Sequence, residues 1–161
     1  MATLNTHVKY GEVDSVDFAI YLNQKVSEND FTANVTKIQK WLYICYGLYL
    51  AVHDVQLLTE RPRAWEYGPA FPRVHRAQKK NGNTLNGLRM NSNPELYIKY
   101  NELIKATLKN FGDWTASELI TWTHQPGKAW DKIYYHQNKY DPLDNLDILN
   151  DFRGLLVNGR R

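Results

Sequence analysis

The residues of this sequence with the clearest capacity for chemistry are one histidine and two glutamates. His124 stands at the end of a predicted helix, and the carboxylate of Glu66 or Glu118 could orient its ring as a general base. The simpler interpretation is that the imidazole hydrogen-bonds a backbone carbonyl at that helix terminus, where the helix dipole also favours positive charge. We favour the simpler interpretation, so the sequence predicts that the protein is not an enzyme.

Other catalytic and metal-binding patterns are missing from the sequence. It contains no glycine-rich phosphate loop, no G-x-S-x-G motif and no C-x-x-C pair. Cys45 is the only cysteine and stands among apolar residues, which predicts a buried thiol in a reducing compartment. The histidines form no H-x-x-x-H pair and no compact set with cysteine; they are His7, His53, His75, His124 and His136. We therefore expect no metal ion and no cofactor.

Residues 63–72, with the sequence RAWEYGPAFP, have the composition of a rigid recognition surface. Proline restricts the backbone, and aromatic side chains offer large apolar area for contact with a partner. The aromatic residues predicted to bind a partner are Trp65, Tyr67 and Phe71. The alternative is that Trp65 and Tyr67 pack beneath the longest helix as part of the core.

The basic residues of the chain are concentrated in residues 61–89, although the net charge is only +3. They are Arg61, Arg63, Arg73, Arg76, Lys79, Lys80 and Arg89. Arg73 and Arg76 are one helical turn apart, and we predict that they contribute to partner binding. Three interpretations stay open at this point: a solvated face, a surface for an acidic protein, or a surface for nucleic-acid phosphates.

The length and composition indicate one domain. The chain has 161 residues, of which 43% are hydrophobic and 13% aromatic, enough for a substantial core. We expect residues 1–161 to form this domain, with residues 1–12 loosely held. The longest apolar run, residues 41–52, is too short to cross a bilayer, and no leader pattern opens the chain. The sequence therefore predicts a soluble cytoplasmic protein without membrane contact.

Helical periodicity and capping signals dominate the first half of the sequence. The pattern predicts helices over residues 14–25 and from a cap at Asn34 to Val52, the second apolar nearly all round and therefore central. Residues 56–58 and 63–67 are predicted to be the two strands of a hairpin. Pro72 at a first helical position predicts a helix as far as Lys80.

The second half of the sequence predicts four more helices. Asn93-Pro94 begins the first, which ends at Gly112, and a T-x-x-E capping box at Thr115 begins the second, which ends near His124. Residues 128–135 and 146–156 complete the set. The sequence as a whole predicts a mainly α, single compact helical domain with a small β-hairpin inserted after the central helix.

Three ordered sequence blocks resemble the Panacea domain family of prokaryotic and phage antitoxins, which includes SocA-type and GepA-type proteins. The blocks are residues 37–43, KIQKWLY, residues 64–72, AWEYGPAFP, and the segment with Ser117-Glu118-Leu119, Thr123-His124 and Trp130. Trp41 and Ala70 depart from the family pattern, which has leucine and valine there. The matching motif positions are Lys40, Tyr43, Glu66, Gly68, Pro69, Glu118, His124 and Trp130.

This resemblance implies an antitoxin that binds and neutralises a toxin encoded beside it. Toxins of the family are diverse and include small alarmone synthetases that block translation. The resemblance also leaves two other roles open: an adaptor that hands the toxin to a protease, with a protease or chaperone as a further partner, and a nucleic-acid-binding regulator that uses residues 61–89. Family members are not known as enzymes.

Overall fold

The helices and strands surround one long helix. The computed structural model describes residue 11 and residues 13–159. Its helices are α1 (Ser15–Glu28), α2 (Val35–His53), α3 (Pro72–Lys80), the 3₁₀ helix Pro94–Tyr100, α4 (Asn101–Phe111), α5 (Ala116–Thr123), α6 (Ala129–Tyr134) and α7 (Asn145–Asn158), and its strands are β1 (Arg63–Trp65) and β2 (Gly68–Ala70). The expectation for residues 1–12 concerns a segment of which only Gly11 is described. The predicted mainly α fold with a small hairpin is confirmed.

Helix α2 is the centre of the molecule, as its all-round apolar pattern predicts. It packs against α1, α3, α4, α5 and α7, and it also contacts β2. Its Trp41 is fully buried and donates its indole N–H to Phe111 O at 3.1 Å, and Tyr46 donates its hydroxyl to Asn145 Oδ1 at 2.6 Å. Val52 is the exception to the predicted pattern, since it is 60% exposed in the last turn. Trp41 and Tyr46 therefore connect α2 to helices far along the chain.

Local capping signals place most helix boundaries correctly. Asn34 Oδ1 accepts the Lys37 N–H at 2.8 Å, and the capping box between Thr115 and Glu118 is formed in both directions. Helix α3 has the predicted bounds, Pro72–Lys80. Because these signals act within a few residues of a helix terminus, they can be recognised in the sequence.

The prediction of an α-helix that begins at Asn93 is wrong for the first half of that helix. Pro94–Tyr100 is a 3₁₀ helix, and the α-helix begins only at Asn101. A 3₁₀ helix has three residues per turn, so Tyr97 and Tyr100 share a face and are buried. Leu96, which the α-helical pattern places in the core, is 63% exposed.

The hairpin is present after α2, but its strands are not those predicted. β1 pairs with β2, not with residues 56–58, and Trp65 faces Gly68 across a two-residue turn. The backbone N–H and C=O of Ala64 bond to residues 141 and 140, on the side of β1 that faces away from β2. Pro69, which lies opposite Ala64, therefore needs no N–H to pair with it. Gly68 and Pro69 therefore form part of a strand.

No helix in the described part of the chain combines the length and apolar character needed to cross a membrane.

Gly47 of α2 lies against the Phe152 ring of α7, and we predict that Gly47→Ala destabilises the fold. A Cβ at this position would overlap the ring of the buried Phe152. Overpacking of this kind lowers the free energy of unfolding by about 1–3 kcal/mol, which urea denaturation would measure. Gly154 on α7 is the matched control, since a Cβ there has no neighbour within 4 Å. Gly154→Ala should stabilise by roughly 0.5–1 kcal/mol, and equal effects of both variants would contradict this packing.

Candidate functional site

Two side chains of α2 bind the backbone of the hairpin and of the residue that follows it. Lys40 Nζ donates to Pro69 O at 3.1 Å. Gln39 accepts the Phe71 N–H at 2.7 Å and donates to Phe71 O at 3.3 Å. Gln39 and Lys40 are both buried, 4% and 3% exposed, although polar side chains of this length usually lie at the surface. The end of β2 is therefore fixed to the central helix by core hydrogen bonds.

Two aromatic side chains hold the turn of the hairpin from the opposite side. Trp130 on α6 donates its indole N–H to Trp65 O at 2.7 Å. His124 Nε2 lies 3.1 Å from Glu66 O, and His124 Nδ1 lies 2.6 Å from Ile120 O. The two rings pack edge to face with centroids 3.8 Å apart. The three blocks that resemble the Panacea family thus meet at this hairpin.

The geometry of His124 agrees with the structural interpretation and not with catalysis. Both ring nitrogens face backbone carbonyl oxygens, so neither is available to a substrate. The Glu118 carboxylate accepts the Thr115 N–H in the capping box, and Glu66 contacts His124 through its backbone oxygen. Neither predicted carboxylate partner orients the imidazole. In the described residues no group of three or more His, Cys, Asp and Glu side chains could hold a metal ion.

Lys40 is the electrostatically unusual residue of this region. Burial lowers the pKa of its amine from 10.5 to about 7. None of the ion pairs among the described residues includes Lys40, so no carboxylate offsets the loss of hydration. Gly68 leaves the space that the amine needs: its φ is +107°, and a Cβ would lie 2.9 Å from Lys40 Cε and 2.6 Å from Thr123 Oγ1. Only glycine fits this position without strain.

A surface cavity of about 300 Å³ opens beside Lys40, between α2, the hairpin and α3. We call it the hairpin cavity. Its polar and aromatic lining includes Lys40, Glu66, Tyr67, His75 and Tyr140. Tyr67 and Tyr140 stand at its rim, 64% and 53% exposed. The cavity thus places a buried amine beneath exposed aromatic rings.

The three aromatic residues predicted to bind a partner have different positions. Tyr67, at the turn of the hairpin, is exposed. Trp65 is half-buried, with its ring 5.1 Å from that of His75. The prediction for Phe71 does not agree with the structure, because Phe71 is completely buried and its ring packs against Tyr46 at 5.7 Å. Phe71 is therefore a core residue with no surface for a partner.

Four of the predicted basic residues lie together, and three of them have internal partners. Arg61, Arg63, Arg73 and Arg76 line one cavity of about 430 Å³ together with Glu60. Arg61 donates to Leu143 O, Arg63 to Tyr140 O, and Arg73 pairs with Asp14 at 2.7 Å. Arg76 is exposed and has no hydrogen bond or ion pair to a described residue. Among these four, Arg76 is therefore the one with its charge most available to a partner.

Tyr43, the remaining motif position, lines a separate small cavity of about 90 Å³ with Trp122 and Asp151. Burial, and then the nearby Asp151, raise the pKa of the Tyr43 hydroxyl well above its usual value. Burial also raises the pKa of Asp151, although its carboxylate accepts the Ala129 N–H at 2.7 Å. The Tyr43 ring packs on Phe152 at 5.5 Å. Tyr43 is thus part of the contact between α2 and α7.

Sequence reasoning missed Gln39 and Tyr140 as members of the site. Gln39 stands next to Lys40 between the apolar residues Ile38 and Trp41, and that placement is a signal that polar side chains face the core. Tyr140 reaches the hairpin cavity through a backbone with φ of +72°, rare for a residue with a side chain. Nothing in the sequence marks Tyr140 for that conformation.

The fold and site define a helical scaffold that supports a hairpin at its surface. Residues 38–131 match the model of the family described as Antitoxin SocA-like, Panacea domain, and the chain therefore belongs to that family. It is 29% identical over 132 residues to Antitoxin SocA of Caulobacter vibrioides (strain NA1000 / CB15N), a span of 75% of this chain and 70% of that protein. No solved structure matches the chain. The predicted resemblance is confirmed.

The lowered pKa of Lys40 predicts a distinctive pH dependence of stability. The unfolded chain keeps the Lys40 proton up to pH 10.5, whereas the folded chain releases it near pH 7. Between these values the unfolded state binds more protons, so the free energy of unfolding rises with pH by up to about 1.4 kcal/mol per unit. Lys40→Met removes this pH-dependent contribution. The free energy of unfolding of wild type should therefore rise relative to that of Lys40→Met from pH 7 upward.

Urea denaturation of both proteins from about pH 6 to about pH 10 measures this difference. Lys105→Met, at an exposed position of α4, is the control for removing one lysine and should track wild type. A constant difference between wild type and Lys40→Met across this range would show that the buried amine keeps an ordinary affinity for its proton.

His124→Ala tests the structural role of the histidine. Loss of its contacts with Glu66 O and Ile120 O should lower the free energy of unfolding by about 1–3 kcal/mol. His136, whose side chain is 68% exposed, is the control, and His136→Ala should change stability by less than about 0.5 kcal/mol. Urea denaturation of wild type and both variants at one pH measures these changes in the free energy of unfolding. Full stability of His124→Ala would contradict the role of this ring in holding the hairpin.

Proposed function

We propose that this chain is the antitoxin of a toxin–antitoxin system and neutralises its cognate toxin by direct protein–protein binding. Membership of the Antitoxin SocA-like, Panacea domain family supports this role, as does the similarity to Antitoxin SocA. The toxin is a protein encoded beside the antitoxin gene. Binding is stoichiometric and masks the toxin's active surface in the cytoplasm, where a translation-blocking toxin acts.

The observation that carries the proposed mode of binding is an exposed aromatic residue on a fixed backbone. Tyr67 is 64% exposed, while the carbonyl groups on either side of it, at Glu66 and Pro69, are bound by His124 and Lys40. An anchor that is already held in place loses little conformational entropy on binding. Tyrosine also offers a large contact area with only two side-chain torsions to fix.

The proposed partner surface consists of this turn and the neighbouring basic helix. Tyr67, the exposed part of Trp65 and Arg76 lie on it, with Arg73 at its edge, held by Asp14. Exposed arginine favours a toxin with an acidic contact region. The toxin class that we propose is a small alarmone synthetase that blocks translation, since the diverse toxins of the Panacea family include such enzymes.

Two alternative roles have less support. A nucleic-acid-binding regulator needs free basic side chains, yet Arg61, Arg63 and Arg73 are occupied by internal partners and Glu60 lies among them. A protease adaptor would use the same toxin-binding surface. The two modes differ in outcome, because an adaptor decreases the amount of toxin, whereas masking leaves the amount unchanged.

Co-expression with the product of the neighbouring gene tests the proposed function. Wild type should restore growth with the toxin level unchanged, and Tyr67→Ala should weaken toxin binding by roughly 10- to 100-fold in a calorimetric titration. Leu96→Ala is the control, since Leu96 is equally exposed but lies on the 3₁₀ helix.

Two results would contradict the proposal at different levels. A neighbouring gene product that is harmless alone, or that stays toxic with this protein present, removes the antitoxin role. Full-strength binding by Tyr67→Ala leaves the role intact but places the contact surface elsewhere on the molecule.

A further inference from the structure

The amine of Lys40 has no partner of opposite charge among the described residues. Its residue is 3% exposed, and its hydrogen bond within the described residues goes to a single neutral acceptor, Pro69 O. An ammonium group has three N–H donors, and a buried charge is costly unless it is paired and fully hydrogen-bonded. The structure therefore leaves both donor capacity and charge at Lys40 for another group.

The hairpin cavity gives another group access to this amine. Its volume of about 300 Å³ is many times the roughly 10–15 Å³ that one water molecule needs on the same measure. Thr36, Trp65, Tyr67 and Tyr140 surround the approach to Lys40. A side chain from a bound protein can therefore enter between these walls.

The charges that face the cavity select a singly charged anion. Glu66 and His75 also line it, and neither forms an ion pair with Lys40. Burial, and then the nearby Lys79, lower the pKa of His75, so its ring stays neutral near pH 7. A cavity with one amine and the acidic Glu66 in its lining suits a carboxylate better than a phosphate dianion, which needs more positive charge.

We propose that the hairpin cavity receives an aspartate or glutamate side chain of the toxin, whose carboxylate pairs with Lys40 Nζ. This inference rests on the proposed antitoxin function and names the chemistry of its contact. Tyr67 and Tyr140 at the rim enclose the pair and exclude water, which strengthens it. The site makes an acidic residue of the toxin the determinant of recognition.

Proton linkage follows from this pairing. The free protein holds the Lys40 proton only up to about pH 7, whereas a bound carboxylate favours the charged amine. Complex formation above pH 7 therefore takes up a proton, and the affinity should fall by up to about tenfold per pH unit. Below pH 7 the affinity should be independent of this group.

Calorimetric titration with the purified product of the neighbouring gene tests the site, at about pH 6 and about pH 8.5. Lys40→Met should weaken binding about 10- to 100-fold at the lower pH and abolish the pH dependence that Lys40 causes. Thr36→Phe reduces the volume of the cavity while it keeps the Lys40 side chain, and it should also weaken binding at least about tenfold. Lys105→Met on α4 is the matched control and should bind as wild type does.

Each contrary result has a separate meaning. If the toxin binds wild type, Lys40→Met and Thr36→Phe equally, the carboxylate site is wrong and the antitoxin function stands. If the toxin does not bind wild type at either pH, the proposed function fails and this site fails with it. Sodium acetate is the probe for a free carboxylate: if acetate shifts the Lys40 side-chain nitrogen resonance while the toxin does not, the cavity takes a small molecule and not the toxin.

Discussion

The structure depends on side-chain donors that bind the backbone of a hairpin too short to stand alone. Two strands of three residues each are marginal in water without support from other elements. Lys40 and Gln39 supply that support from the central helix, and Trp130 and His124 supply it from the opposite side. Core residues thereby fix the hairpin at the surface, and the proposed recognition element depends on them.

Helix boundaries were predictable because their causes are local, whereas the hairpin register was not. Asn34, Pro72 and Thr115 each act on backbone groups within the first turn of the helix that they begin. The pairing of Ala64 with Pro69 depends instead on residues 140 and 141, which take the other backbone bonds of Ala64. A contact so distant in sequence leaves no trace in the strand's own residues.

Tyr67 and Phe71 show why residue type alone does not predict a binding surface. Both are aromatic, both belong to residues 63–72, and the sequence predicted one role for both. The two-residue turn points Tyr67 into solvent, whereas Phe71 precedes the first residue of α3 and faces Tyr46 in the core. The motif positions were recognised as a set, but only the fold shows that Lys40, His124 and Trp130 share one task.

Lys40 connects the scaffold to the proposed recognition chemistry. An apolar side chain of similar length would avoid the desolvation of a buried amine but would leave Pro69 O without this hydrogen bond. The lysine instead holds Pro69 O and presents its charge to the hairpin cavity. A buried ionisable group with a strongly shifted pKa beside a cavity is typical of a functional position. In this chain the same atom, Lys40 Nζ, positions the hairpin and is the proposed contact for a carboxylate of the partner. In this proposal the scaffold itself contributes to binding, and the exposed residues around Lys40 add specificity.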